Sequence, residues 1–144
     1  MIENDTIKLL RECDSGVEMG VASISDVIDR VHNSKMKATL SDCKHAHEKL
    51  KTEVTCLLDS YHDDGKSPNP MAKGMSWMKT NVEMAVNNSD NTIASLMTDG
   101  CNMGVKSLNK YLNQYAAADE KSKDITKKLI KLEQGLIDDM KEYL

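Results

Sequence analysis

The chain has 144 residues, 40% of them apolar and 29% charged, with a net charge of −4 and an aromatic content of only 3%. That length favours a single domain, 1–144, with one core, and the acidic balance argues against non-specific nucleic-acid binding. No apolar run approaches the ~20 residues that span a bilayer. Met1-Ile2-Glu3-Asn4-Asp5 lacks a basic region followed by an apolar run, so the expectation is a cytoplasmic protein that contacts neither membrane nor nucleic acid.

Asn4 or Asp5 can cap a first helix by accepting from free backbone N–H groups. Leu10, Cys13, Val17, Gly20 or Val21, Ile24, Val27 or Ile28 and Val31 form its apolar stripe, which predicts a helix over residues 5–32. Gly16 and Gly20 lie inside it, four apart. Each costs roughly 1 kcal/mol against Ala in a helix interior. Either a close helix approach or a loosened turn would account for them. Asn33-Ser34 is too short a link for anything but an antiparallel neighbour.

The second helix carries the longest periodic face of the chain. Met36, Leu40, Cys43, His47, Leu50, Val54, Leu57 and Tyr61 follow one another in steps of four and three. One member of that face, His47, is ionisable. The helix is predicted over residues 35–61. Both prolines, a glycine and a charge cluster then fall within residues 62–70, the strongest breaker in the sequence. Met71, Met75, Met78, Val82 and Val86 predict a short helix over residues 71–86. Its Met-rich face suits either the chain's own core or a partner.

Asn87-Asn88-Ser89-Asp90 is a stop followed by a cap. Ala94, Met97, Cys101, Gly104 or Val105, Leu108, Tyr111 or Leu112 and Tyr115 then predict a helix over residues 90–115, in which Gly100 and Gly104 repeat the four-residue glycine spacing. A last helix over residues 119–143 presents Ile125, Leu129, Leu132, Leu136, Met140 and Tyr143. No segment alternates with period two, so no sheet is predicted. The connection over residues 63–89 can run the length of a ~37 Å helix. The second and third long helices are therefore expected to be parallel. The fold class is all-α: a ferritin-like four-helix bundle whose long crossover carries the short fifth helix.

Asp5-Thr6-Ile7 with Leu10, Cys13 with Gly16 three residues later, the Trp77-Met78 pair and the Leu108-x-x-Tyr111 spacing carry a resemblance spanning nearly the whole chain. In these the chain resembles a bacterial family of ferritin-like proteins catalogued as domain of unknown function 2383. It departs from that pattern at Ser76, where the family usually has Gly before the Trp, and at Val17, where it tends to have Glu. The resemblance implies a fold; it implies no activity, because the family has none established.

A ferritin-type di-iron centre needs a Glu from each of two helices and Glu-x-x-His from each of the other two. Glu-x-x-His is absent; Lys44 precedes His47 by three, and Leu136 follows Glu133 by three. All four histidines lie within residues 32–62. With the long helices aligned end to end, Glu18, His47 or Glu48, Asn102 and Glu133 fall near one mid-bundle level. Glu18, His47 and Glu133 are thus the candidates for a reduced site taking iron, manganese or zinc. The alternative is a buried His47 hydrogen-bonded to a carboxylate such as Glu18 or Glu133. Cys13, Cys43 and Cys101 lie on apolar strides, as buried thiols do. With no Cys-x-x-Cys spacing and no secretory signal, the four cysteines read as reduced.

The Lys121, Lys123, Lys127, Lys128 and Lys131 run, offset by Glu120, Asp124 and Glu133, reads as a solvated face. No phosphate-binding loop, nucleophile elbow or zinc-protease motif occurs. The expectation is a non-enzymatic interaction or stress-associated structural bundle with no catalytic residues and no cofactor. It would act as a homo-oligomer or with a protein partner. The competing class is a metal-binding or oxidoreductase bundle using the His47 level.

Overall fold

The structure is a computed structural model and describes residues 4–66, 81 and 89–144. Helix α1 spans Asn4–Val27, α2 Ser34–Ser60, α3 Asp90–Gln114 and α4 Glu120–Met140. Short 3-10 turns, Ile28–Arg30 and Lys141–Tyr143, finish α1 and α4. Among the described residues there is no strand, and no helix is long and apolar enough to cross a membrane. The fifth helix expected over residues 71–86, with its Met face and Trp77, lies outside the described residues.

The caps explain where the helices begin. The Asn33 side chain accepts from Met36 N at 2.9 Å and opens α2. Asp119 accepts from Ser122 N at 2.8 Å and opens α4. Each satisfies a backbone donor that the first helical turn leaves free. Ser89 stands at the N-cap of α3. Asp90, one residue on, reaches sideways instead, and its carboxylate accepts from His32 N and Asn33 N, both at 2.8 Å. Similarly, Asp5 accepts from Ala117 N at 3.1 Å, and Thr6 Oγ1 from Asp119 N at 2.9 Å.

These contacts set the directions of the helices. The start of α3 sits beside the α1–α2 turn, and the start of α4 sits beside the start of α1. Helices α2 and α3 therefore run parallel, with α1 and α4 antiparallel to both, so the end of α2 and the start of α3 lie at opposite ends of the bundle. Among the described residues α1 packs on α2, α3 and α4, while α4 packs on α1, α2 and α3. That leaves α2 and α3 at opposite corners.

The first stretch of the connection is pinned to α1. Arg11 pairs with Asp63, Lys66 Nζ with Glu12 at 2.6 Å, and Lys66 N donates to Asp14 at 3.0 Å. Gly65, at φ +82°, lies so close to Asp14 that an added Cβ would stand 2.3 Å from its Oδ2. Only glycine fits both the left-handed backbone and that approach.

The interior divides into two apolar clusters. One, at the α1–α2 turn, gathers Ile24, Val27, Met36, Leu40, Ile93, Met97, Leu136 and Met140. The other gathers Leu10, Cys13, Val17, Leu50, Val54, Leu58, Leu108, Ile125 and Leu129. On α2 the buried positions follow the predicted stripe as far as Val54, apart from half-buried Cys43, then pass to Leu58, with Leu57 only half-buried. A 3.5-residue repeat drifts by ~20° per heptad on a straight α-helix, enough to move the last contact by one position.

Candidate functional site

Between the two clusters the four helices bring together glycines and ionisable groups where apolar side chains would otherwise meet. Helix α2 contributes His47, 2% exposed, and α4 contributes Glu133, 8% exposed. Helix α1 contributes Gly20 and α3 contributes Gly104. A Cβ on Gly20 would lie 2.7 Å from His47 Cδ2 and 2.8 Å from Nε2. A Cβ on Gly104 would lie 2.3 Å from Glu133 Oε2. Both contacts are shorter than packed atoms allow, so each glycine is the notch into which its partner fits. The glycines sit in unbroken α-helix. The close approach expected of them is made by a facing side chain, not by a loosened turn.

His47 Nδ1 lies 2.8 Å from the Cys43 carbonyl. A carbonyl can only accept, so Nδ1 carries the proton and donates. Nε2 of the neutral ring is then an acceptor. Burial lowers the His47 pKa, against the opposing pull of the Cys43 carbonyl, which keeps the ring neutral. Burial raises Glu133 to about 8, so this carboxyl keeps its proton at neutral pH. His47 Nε2 and Glu133 Oε2 are both buried, and neither has a hydrogen-bond partner among the described residues. Leaving such a group unsatisfied costs about 1–3 kcal/mol.

Both side chains line a cavity of about 320 Å³ between α1 and α3. Gly16, Gly20, Gly100 and Gly104 form its inner walls, and Ser15, Met19, Met103 and Ser107 lie towards its mouth. Cys101, Leu108 and Leu136 make much of the rest of the surface apolar. The nearby thiols are not primed as nucleophiles. Cys43 is pushed up to about 12 by burial and then by Glu133, and Cys101 is raised further by the same causes.

Of the three site candidates Glu18, His47 and Glu133, the last two line one cavity. Glu18 does not join them. It pairs with Lys51, which also holds Asp14 at 2.7 Å, and Glu18 and Lys51 face a separate recess with Val21 and Glu48. Glu48 pairs with His45 at 3.5 Å, and Asn102 is exposed. Nor does His47 hydrogen-bond to Glu18 or Glu133, as the alternative reading supposed; its partner is its own helix's carbonyl. Among the described residues, no group of three or more His, Cys, Asp and Glu side chains is placed to hold a metal ion. Cys13 and Cys101 are buried as expected, Cys43 is half-buried and Cys56 is exposed. Cys13 contacts Thr126 Oγ1 at 3.1 Å, a buried polar pair that no periodicity could reveal.

No known family matches the sequence, and no curated protein matches it. The comparison of structures is more informative. The chain is similar to a crystal structure of a DUF305 fragment from Deinococcus radiodurans, with a TM-score of 0.75 over 98% of this chain and 95% of that one. The likeness is one of fold. At 11% identity it carries no residue roles across. It supports an all-helical bundle, and does not extend to the 2383 family or to ferritin-like proteins as such.

Proposed function

We propose that this chain is a non-enzymatic, ferritin-like bundle that works by binding a small, largely apolar molecule in the α1–α3 cavity. The observation carrying this reading is the pair of buried, unpartnered polar atoms, His47 Nε2 and Glu133 Oε2, on the wall of an apolar cavity notched by glycines. Ligand sites have this composition: ~300–1,000 Å³, mostly apolar, with a few polar groups that fix orientation. The up-down-down-up course with its single long crossover supports the ferritin-like part of the reading. A resident divalent cation fits less well, because His47 and Glu133 supply two ligands where three or four are needed.

Native purification followed by solvent extraction and mass spectrometry tests the reading. The expected result is a small organic molecule retained by the protein and reduced at least about tenfold in Ser15→Trp, which narrows the mouth. Equal retention by the variant, no retained compound, or turnover of that compound by the protein would each refute it.

A further inference from the structure

We infer that the α1–α3 cavity selects a ligand bearing a hydroxyl group, which donates to His47 Nε2 and accepts from the Glu133 carboxyl. This rests on the binding function just proposed and names its ligand chemistry. The donor–acceptor assignment follows from geometry. The Cys43 carbonyl fixes the proton on Nδ1, so Nε2 can only accept while the ring is neutral. Among the described residues Glu133 faces no cation that would hold it ionised. The thiols of Cys43 and Cys101 feel its charge, and the neutral imidazole lines the same cavity; a carboxyl in such company is an acid that donates. One acceptor and one donor lining the same cavity match a group that both donates and accepts, as a hydroxyl does. A methyl in its place would leave both wall groups unpaired, and sites built to bond a hydroxyl reject the analogue that lacks it.

Size narrows the class further. A cavity of ~150 Å³ takes benzene, so about 320 Å³ suits a body of roughly two fused rings or an equivalent branched chain. Among the described residues the walls around the polar pair are largely apolar and carry no cation facing Glu133, which disfavours phosphates and carboxylates. The class is therefore a neutral alcohol or phenol with an apolar body.

The test compares 2-naphthol with 2-methylnaphthalene, of nearly the same shape, by titrating full-length protein carrying ¹³C-labelled Met methyls at pH 6.5. Met19, Met97 and Met103 line the cavity, whereas Met36 and Met140 lie in the core and report unspecific effects. The expected result is shifts confined to the cavity methionines and at least about tenfold tighter binding of 2-naphthol, falling to less than about threefold in His47→Leu. Equal affinity for the two compounds in the native protein would overturn the hydroxyl inference and leave the binding function standing. No shift at Met19, Met97 or Met103 with either compound at its solubility limit would overturn the binding function itself. The ligand-side comparison needs no variant, so it decides the matter even where His47→Leu does not fold.

Discussion

Glu133 gives the sharpest handle on the reasoning, because its burial turns into a pH dependence of defined sign. In the unfolded chain its carboxyl releases a proton near 4.5; in the folded bundle it holds the proton until about 8. Between those values the native state binds more protons than the unfolded state, so stability falls as pH rises across the window. Below 4.5 both states are protonated and no cost is felt. Within the window the cost grows by about 1.4 kcal/mol per pH unit, so pH 5 to pH 7 removes roughly 2–3 kcal/mol. His47 works in the opposite sense. Its folded pKa is lowered, so the unfolded chain alone takes up a proton as pH drops through 6.5, and stability is lost towards acid.

The variant Glu133→Gln separates the two. It keeps the shape of the protonated acid, cannot ionise, and leaves His47 in place. Urea denaturation of both proteins at pH 5, 6, 7 and 8 gives a stability difference from which the histidine cancels. The native protein is expected to lose about 2–3 kcal/mol relative to Glu133→Gln between pH 5 and pH 7. A difference that stays constant within about 0.5 kcal/mol over that range would show that Glu133 is solvated or paired, and the assignment of a neutral donor would fall with it.

The glycines offer an internal control. Gly104→Ala forces a Cβ to within 2.3 Å of Glu133 and is expected to cost about 1–3 kcal/mol by overpacking, lowering the melting temperature. Gly135→Ala meets nothing within 4 Å and should raise stability by about 0.5–1 kcal/mol through helix propensity alone; opposite signs in the two melts are the check. Gly65→Ala combines positive φ with a 2.3 Å approach to Asp14 and should cost about 1–3 kcal/mol, read in the same assay. Asp90→Ala frees the His32 and Asn33 amides and should cost about 1–2 kcal/mol, with faster hydrogen exchange at those two amides as the local readout.

Periodicity and connection length made the architecture readable before any coordinate. The Met36–Val54 stride marks the buried face of α2. The two-residue link at Asn33-Ser34 leaves room only for an antiparallel neighbour, and the stretch from 63 to 89 is long enough to return along the bundle. The site was harder. Aligning helices end to end gives the height of a residue and not its azimuth. Position 18 lies two residues from both Gly16 and Gly20, about 200° round the helix, so Glu18 faces Lys51 and not the cavity. Asn102 is displaced by about 100° from buried Cys101 and meets solvent for the same reason. The repeated glycine spacing was visible in both helices. What it accommodates could not be read, because the notch and its occupant lie on different helices and no local pattern links Gly20 to His47 or Gly104 to Glu133.

Economy of packing does not explain this level of the bundle. A buried polar atom without a partner costs about 1–3 kcal/mol, and a glycine in a helix interior about 1 kcal/mol against Ala. His47 with Gly20 and Glu133 with Gly104 incur both penalties twice over, a sizeable share of the ~5–15 kcal/mol by which domains are stable. Elsewhere on the same helices the interior is filled by residues such as Leu10, Leu40, Leu108 and Leu129, which carry no such penalty. A leucine with an alanine would close the middle level equally well if closure were its purpose. Local rules broken together at one level, on all four helices and around one cavity, are what a binding site requires and a packing core does not.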